Sequence, residues 1–187
     1  MSKSLYNVKG NAFNKIKLFI DKNPVDGMYF SDFFKQTQAD FPETLIPSSW
    51  YNVDIYYQIA NLYSIRRKMP INELIPLLAE FALESDLNGL YKFIMKMGGP
   101  KRILNAALPM VKTYFDYITI SVLTHSDGFL EFESILPNQY VELSIPADRG
   151  AVSGMLKACG AEMKSFEVVS VGEFSNTQSR IHYRVKY

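Results

Sequence analysis

The residue types that most often carry metal and nucleophile chemistry are nearly missing from this chain. Of 187 residues, one is cysteine, Cys159, and two are histidine, His125 and His182. A lone thiol excludes an internal disulfide framework and a cysteine-rich zinc site, and it suits a reducing compartment. Neither histidine falls in a His-x-x-x-His or His-Glu-x-x-His arrangement, so no recognisable zinc motif is present. No Gly-x-Ser-x-Gly elbow occurs. Cys159 comes at the end of an expected helix, where the dipole opposes a thiolate, and it reads as a packing residue. The glycine-rich basic string Gly98-Gly99-Pro100-Lys101-Arg102 matches neither phosphate-cradling pattern and reads as a helix-to-helix turn.

Long apolar runs and a dominant charge are missing too. No window approaches the roughly 20 apolar residues a bilayer crossing needs, and the stretch from Met1 to Asn11 is polar, unlike a secretory leader. A cytoplasmic chain with no membrane span is therefore expected. The net charge is only +1. Residues 1–112 carry 14 Lys/Arg against 10 Asp/Glu, and residues 113–187 carry 6 against 9. Nucleic-acid binders show denser basic stripes, so no nucleic-acid partner is expected.

What the chain has in quantity is aromatic residues: 13 Phe, 12 Tyr and 1 Trp, 14% of the total. Such a surplus fills a core or walls a cavity. Apolar spacing at Phe13, Ile16, Phe19 and Ile20 predicts an amphipathic helix over 12–21, stopped by Asn23-Pro24. A second helix is predicted with Ser31 as N-cap, running to about Asp40, followed by a loop over 41–49 holding Pro42 and Pro47. Trp50-Tyr51 opens an aromatic run into a helix over about 53–64. Tyr56, Tyr57 and Tyr63 cannot all share one helix face, so some must meet a loop, the sheet or a ligand. Further helices are predicted from about Pro70 to Glu84 with a kink at Pro76, from an Asp86 cap through Met97, and from Lys101 to about Val111, bent or ended near Pro109. No strand is evident before residue 112.

After it the period drops towards two. The stretch Tyr114 to Thr124 reads as a strand, Ser126-Asp127-Gly128 as a hairpin turn, and Phe129 to Ile135 as the returning strand. Alternation puts Phe129, Glu131 and Glu133 on one face and Leu130, Phe132 and Ser134 on the other. Asp148 is expected to cap a helix running to Ala158, with Gly160 just beyond its end. Phe166 to Phe174 and Arg180 to Tyr187 read as a second hairpin across Ser175-Asn176-Thr177. His125 reads as an exposed turn residue, His182 as a sheet-face residue, and the Glu131/Glu133 pair as a solvated strand face. The expected architecture is α+β in one domain over residues 1–187. Its first part, 1–112, holds about five to six helices, packed on a four-stranded antiparallel sheet with one helix, β-β-α-β-β, over 113–187.

Val8-Lys9-Gly10 before a helix, Trp50-Tyr51 before another and the closing β-β-α-β-β half together resemble an uncharacterised bacterial family. That family is expanded as paralogues in myxobacteria and is related to the heme-nitric-oxide-binding proteins and 4-vinyl-reductase domains. The resemblance implies a helical subdomain on a four-stranded sheet and a ligand cavity at their interface. The heme-binding relatives supply an axial histidine from a helix in the first part of the chain and carry a Tyr-x-Ser-x-Arg motif. Residues 1–124 contain no histidine, and the motif does not occur. Heme bound in that manner is not expected, and no family catalytic residue carries over.

These observations favour a non-enzymatic sensory or adaptor module without a cofactor, taking a small apolar ligand or a protein partner. Trp50, Tyr51, Tyr56 and Tyr57 are the candidate ligand-binding residues, and no catalytic or metal-binding residue is assigned. Two alternatives stay open: an enzyme with an unrecognised site using His182 or Glu131/Glu133, and a structural subunit that homodimerises through the sheet or a helix face.

Overall fold

The computed structural model describes residues 6–37, 44–87 and 99–187. Strand β1 (Asn7–Lys9) runs directly into α1 (Gly10–Lys22), and α2 (Phe30–Gln36) follows. Strand β2 (Trp50–Asn52) leads into α3 (Val53–Arg67), then α4 (Ile71–Leu87). Helix α5 (Pro100–Ala107) tightens into a 3-10 turn over Leu108–Thr113, where Pro109 interrupts α-helical hydrogen bonding. Then come β3 (Thr119–Ser126), β4 (Phe129–Pro137), α6 (Val141–Ala158), β5 (Ser165–Ser175) and β6 (Gln178–Lys186).

The expected architecture is the observed one: helices first, then four antiparallel strands in the order β3-β4-β6-β5, with one helix between the two hairpins. The predicted turns hold, and Gly128 takes the positive φ of 74° that its hairpin demands. The alternation in β4 is real. Leu130, Phe132 and Ser134 are buried, while Glu131 and Glu133 lie on the other face opposite Arg184 and His182.

Five details differ from expectation. Residues 7–9 and 50–52 form an antiparallel pair within the helical part, because strands of three residues are too short for a period to show. The third strand begins at Thr119, not Tyr114. The preceding residues are instead tied to β1: Lys9 N donates to the Tyr114 carbonyl at 2.7 Å, and Val8 bridges Phe115. Helix α2 is entered at Tyr29, whose N–H donates to Asp32 Oδ2 at 2.9 Å, one residue before the helix begins. Finally, the last long helix starts at Val141, so Asp148 lies in its middle and caps nothing. Asp86, expected as a cap, is in the last turns of α4; the helix predicted beyond it, and the end of the one predicted to reach Asp40, lie outside the described residues.

Helix α6 lies between the inner face of the sheet and α4. A Cβ on Gly150 would sit 2.1 Å from the Pro76 carbonyl oxygen, and one on Gly154 would sit 2.9 Å from that of Glu80. Glycine at i and i+4 thus lets the α6 backbone touch that of α4. Gly10 serves a similar end at the start of α1, where a Cβ would meet the Ile46 carbonyl oxygen at 2.1 Å.

Candidate functional site

A cavity of about 140 Å³ lies among α1, α3, α4, α6 and the segment leading into β3. It exists because small side chains line it: Ala12, Ala79, Ala82, Ala107, Ala147 and Ala151 leave the space that larger residues would fill. Tyr56 and Tyr57 from α3, with Tyr114 and Phe115, form its aromatic side. These rings belong to a larger edge-to-face cluster in which Tyr56 meets Phe13 at 5.5 Å and Tyr57 stacks on Tyr140 at 5.5 Å. The Tyr57 and Tyr117 hydroxyls are hydrogen-bonded at 3.1 Å. Burial holds three of these phenols in their neutral form, pushing Tyr57 up to about 12 and Tyr56 and Tyr117 upward as well.

Two polar features interrupt the apolar wall. At one, Lys15 Nζ meets Asp86 Oδ1 at 2.5 Å and donates to Ser85 Oγ at 3.0 Å, while the Tyr114 hydroxyl donates to Asp86 Oδ2 at 2.5 Å. Both ionic side chains are about one-sixth exposed, so this pair marks where the cavity approaches solvent. The other is Asp148, only 8% exposed. Ser134 from β4 donates to its Oδ2 at 3.1 Å, and Ser144 from the preceding turn of α6 approaches the same oxygen at 3.5 Å. The Tyr183 hydroxyl lies near enough to interact with it electrostatically but misses hydrogen-bond geometry. Burial raises the Asp148 carboxyl to about 6, against the lowering effect of these hydroxyls.

The four residues singled out in the sequence divide between two places. Tyr56 and Tyr57 line the cavity. Trp50 and Tyr51 are not among its walls: Trp50 is 43% exposed with Lys9 Nζ 4.1 Å above its ring, and the Tyr51 hydroxyl accepts from Ile46 N at 2.8 Å. Tyr63, on the other face of α3, is fully buried between Phe19 and Phe33 and donates to the Asn23 carbonyl at 2.7 Å. Sequence reasoning missed Asp148 and the Lys15–Asp86 pair as cavity residues. The signal for Asp148 was there, since Ser144, Asp148, Val152 and Met155 follow helical spacing and put a carboxylate on an apolar stripe.

The other titratable candidates lie elsewhere. Glu131 pairs with Arg184 at 2.9 Å and lies 3.9 Å from His182, and Glu133 lies 3.9 Å from Arg180. They form a charge ladder on the outer sheet face. His125, expected in solvent, is half-buried. Its Nδ1 is 2.8 Å from Asn105 Oδ1 and its Nε2 is 2.9 Å from the Tyr187 hydroxyl, and desolvation lowers its pKa. The Cys159 thiol donates to the Met155 carbonyl and is pushed up to about 11 by burial, which makes it a poor nucleophile. Among the described residues, no three His, Cys, Asp or Glu side chains gather as a metal site, and no helix is long and apolar enough to cross a membrane.

No protein-family profile and no curated protein matches the sequence. Solved structures do match the fold across nearly its whole length, and the class they define is the heme-nitric-oxide-binding, or H-NOX, domain. A Cs H-NOX protein carrying an unnatural amino acid superposes with a TM-score of 0.74 at 13% identity, covering 95% of each chain. A T. tengcongensis H-NOX mutant gives 0.71 at 15% identity, covering 95% of this chain and 96% of that one. An oxygen-binding H-NOX domain related to soluble guanylate cyclases gives 0.69 at 14% identity, covering 95% and 91%. The chain therefore has the H-NOX fold, in agreement with the resemblance read from the sequence.

Heme is the group this fold implies, and the residues around the cavity do not fit it. A space of about 140 Å³ matches the engineered cavity of roughly 150 Å³ that admits benzene or xenon, and a porphyrin is several times larger. Neither histidine lines it. Among the described residues the donors that do are tyrosines, the Ser144 hydroxyl, a paired lysine, two carboxylates and the Met155 thioether.

Proposed function

We propose that this chain is a non-enzymatic, cytoplasmic sensory or adaptor module that takes a small, largely apolar ligand between α3, α4 and α6, without heme. The observation that carries this reading is the cavity itself: an alanine-lined space with an aromatic side, built into a fold whose solved examples include an oxygen-binding domain related to guanylate cyclases. The neutral tyrosines and the raised Cys159 thiol support a binding role over a catalytic one.

Native mass spectrometry of the freshly purified full chain, followed by thermal melts with benzene, toluene or indole, tests the reading. A copurified small molecule, or a saturable rise in melting temperature with one of the single-ring compounds, is expected. Expression with excess heme should give no stoichiometric Soret band. A saturable one-to-one heme complex overturns the heme-free reading. A tight dimer with no ligand of either kind favours a structural subunit instead.

A further inference from the structure

We propose that the ligand of this cavity is a small single-ring amine whose protonated nitrogen is held by Asp148. The inference rests on the cavity being a ligand site and goes beyond it by naming what the polar end recognises.

The argument is one of charge accounting at the cavity wall. Among the described residues, three ionic side chains line the space: Lys15, Asp86 and Asp148. Lys15 and Asp86 neutralise each other at 2.5 Å, with Tyr114 and Ser85 taking part of their remaining hydrogen bonding. Among the described residues Asp148 has no such partner. Ser134 and Ser144 donate to its Oδ2 and the Tyr183 hydroxyl lies beside it, so its polar neighbours are neutral hydroxyls, none of which balances a charge. The neighbouring Arg149 side chain points into solvent, and no cation figures among the groups that perturb Asp148. A buried carboxylate without a counter-ion is costly, and a cation arriving in the cavity would offset that cost.

The rest of the cavity suits the organic part of such a ligand. Its volume is that of one six-membered ring, and its aromatic side presents Tyr56, Tyr57 and Phe115, whose faces attract both a ring and an ammonium group. A neutral hydrocarbon would fill the same space but leave the Asp148 charge without a counter-ion. An anion would meet one uncompensated negative charge.

The test uses the full chain and two probes of nearly equal shape, benzylamine and ethylbenzene, with binding measured by calorimetry and thermal shift at pH 7.5. Benzylamine is expected to bind about tenfold or more tightly than ethylbenzene, as a charge-assisted hydrogen bond implies. The variant D148N keeps the side-chain shape and an acceptor but loses the charge. It should bring the ratio of the two affinities close to one. Equal or weaker binding of benzylamine by the unaltered protein overturns the amine assignment and leaves the apolar cavity reading standing. Binding of neither probe overturns both. A preference for benzylamine that persists in D148N places the ammonium elsewhere and also overturns the assignment. Should D148N fail to fold, D148S, which also removes the charge, takes its place in the comparison.

Discussion

Removing the Asp148 carboxyl from water while offering it only hydroxyl donors makes the folded chain hold its proton more tightly than the unfolded chain does. The folded pKa is about 6, against an ordinary value of 3.8. Stability from this residue is thus fully present below about pH 4 and is lost as pH rises through 6; at pH 7.5 the ionised group costs up to about 3 kcal/mol. Urea denaturation of D148N at pH 4.5 and 7.5 should show a variant more stable than the parent at the higher pH and nearly equal to it at the lower. A loss at pH 7.5 would mean that the ionised carboxylate is compensated in the folded chain. Trp50 offers a second contrast. Its ring is 43% exposed beneath Lys9, so its emission should respond to aqueous quenchers and stay constant as the cavity fills. A ligand-dependent shift would bring β2 into the site.

At the scale of elements, the crossing of α4 and α6 depends on two missing methyl groups. In G150A a Cβ would overlap the Pro76 carbonyl oxygen at 2.1 Å. Better helix propensity is worth about 1 kcal/mol, and the collision should outweigh it for a net loss of about 3 kcal/mol. G154A meets Glu80 at 2.9 Å and should lose about 1 kcal/mol or less. Equal losses in chemical denaturation would show that the helices separate as a pair without discriminating between the two contacts. The elements themselves were legible where they are long. The periods of 12–21, 53–64 and 129–135 each fell inside a real helix or strand, and the two hairpin turns fell where Gly128 and Asn176 put them. What misled was a short polar residue taken for a helix start. Asp148 reads as an N-cap, yet α6 runs from Val141 straight through Pro146, which loses only the hydrogen bond to the Glu142 carbonyl. The cavity was illegible for another reason: its six alanines come from α1, α4, α5 and α6, and no single segment shows that they converge.

Considered as a whole molecule, the chain closes its sheet with its own last strand. β6 lies between β4 and β5, not at an edge, and Ile181, Tyr183 and Val185 are fully buried, with Tyr183 stacked 4.7 Å from Phe132. Deleting residues 178–187 would strip β4 and β5 of their common partner and open the core, leaving two unpaired edges. The truncated chain should be insoluble or lack a cooperative transition; a soluble, cooperatively unfolding product would show that the first three strands suffice. The N-terminus is tied in over an even greater span. β1 pairs with β2, while Asn7 N donates to Asp116 Oδ1 at 2.7 Å, across 109 residues of sequence. Contacts this far apart in sequence close long loops, and such closures lose entropy before packing compensates for it. Despite its helical content, the protein should not refold with the microsecond-to-millisecond haste of a helix bundle but over about milliseconds to seconds, at the pace of chains whose contacts are far apart in sequence.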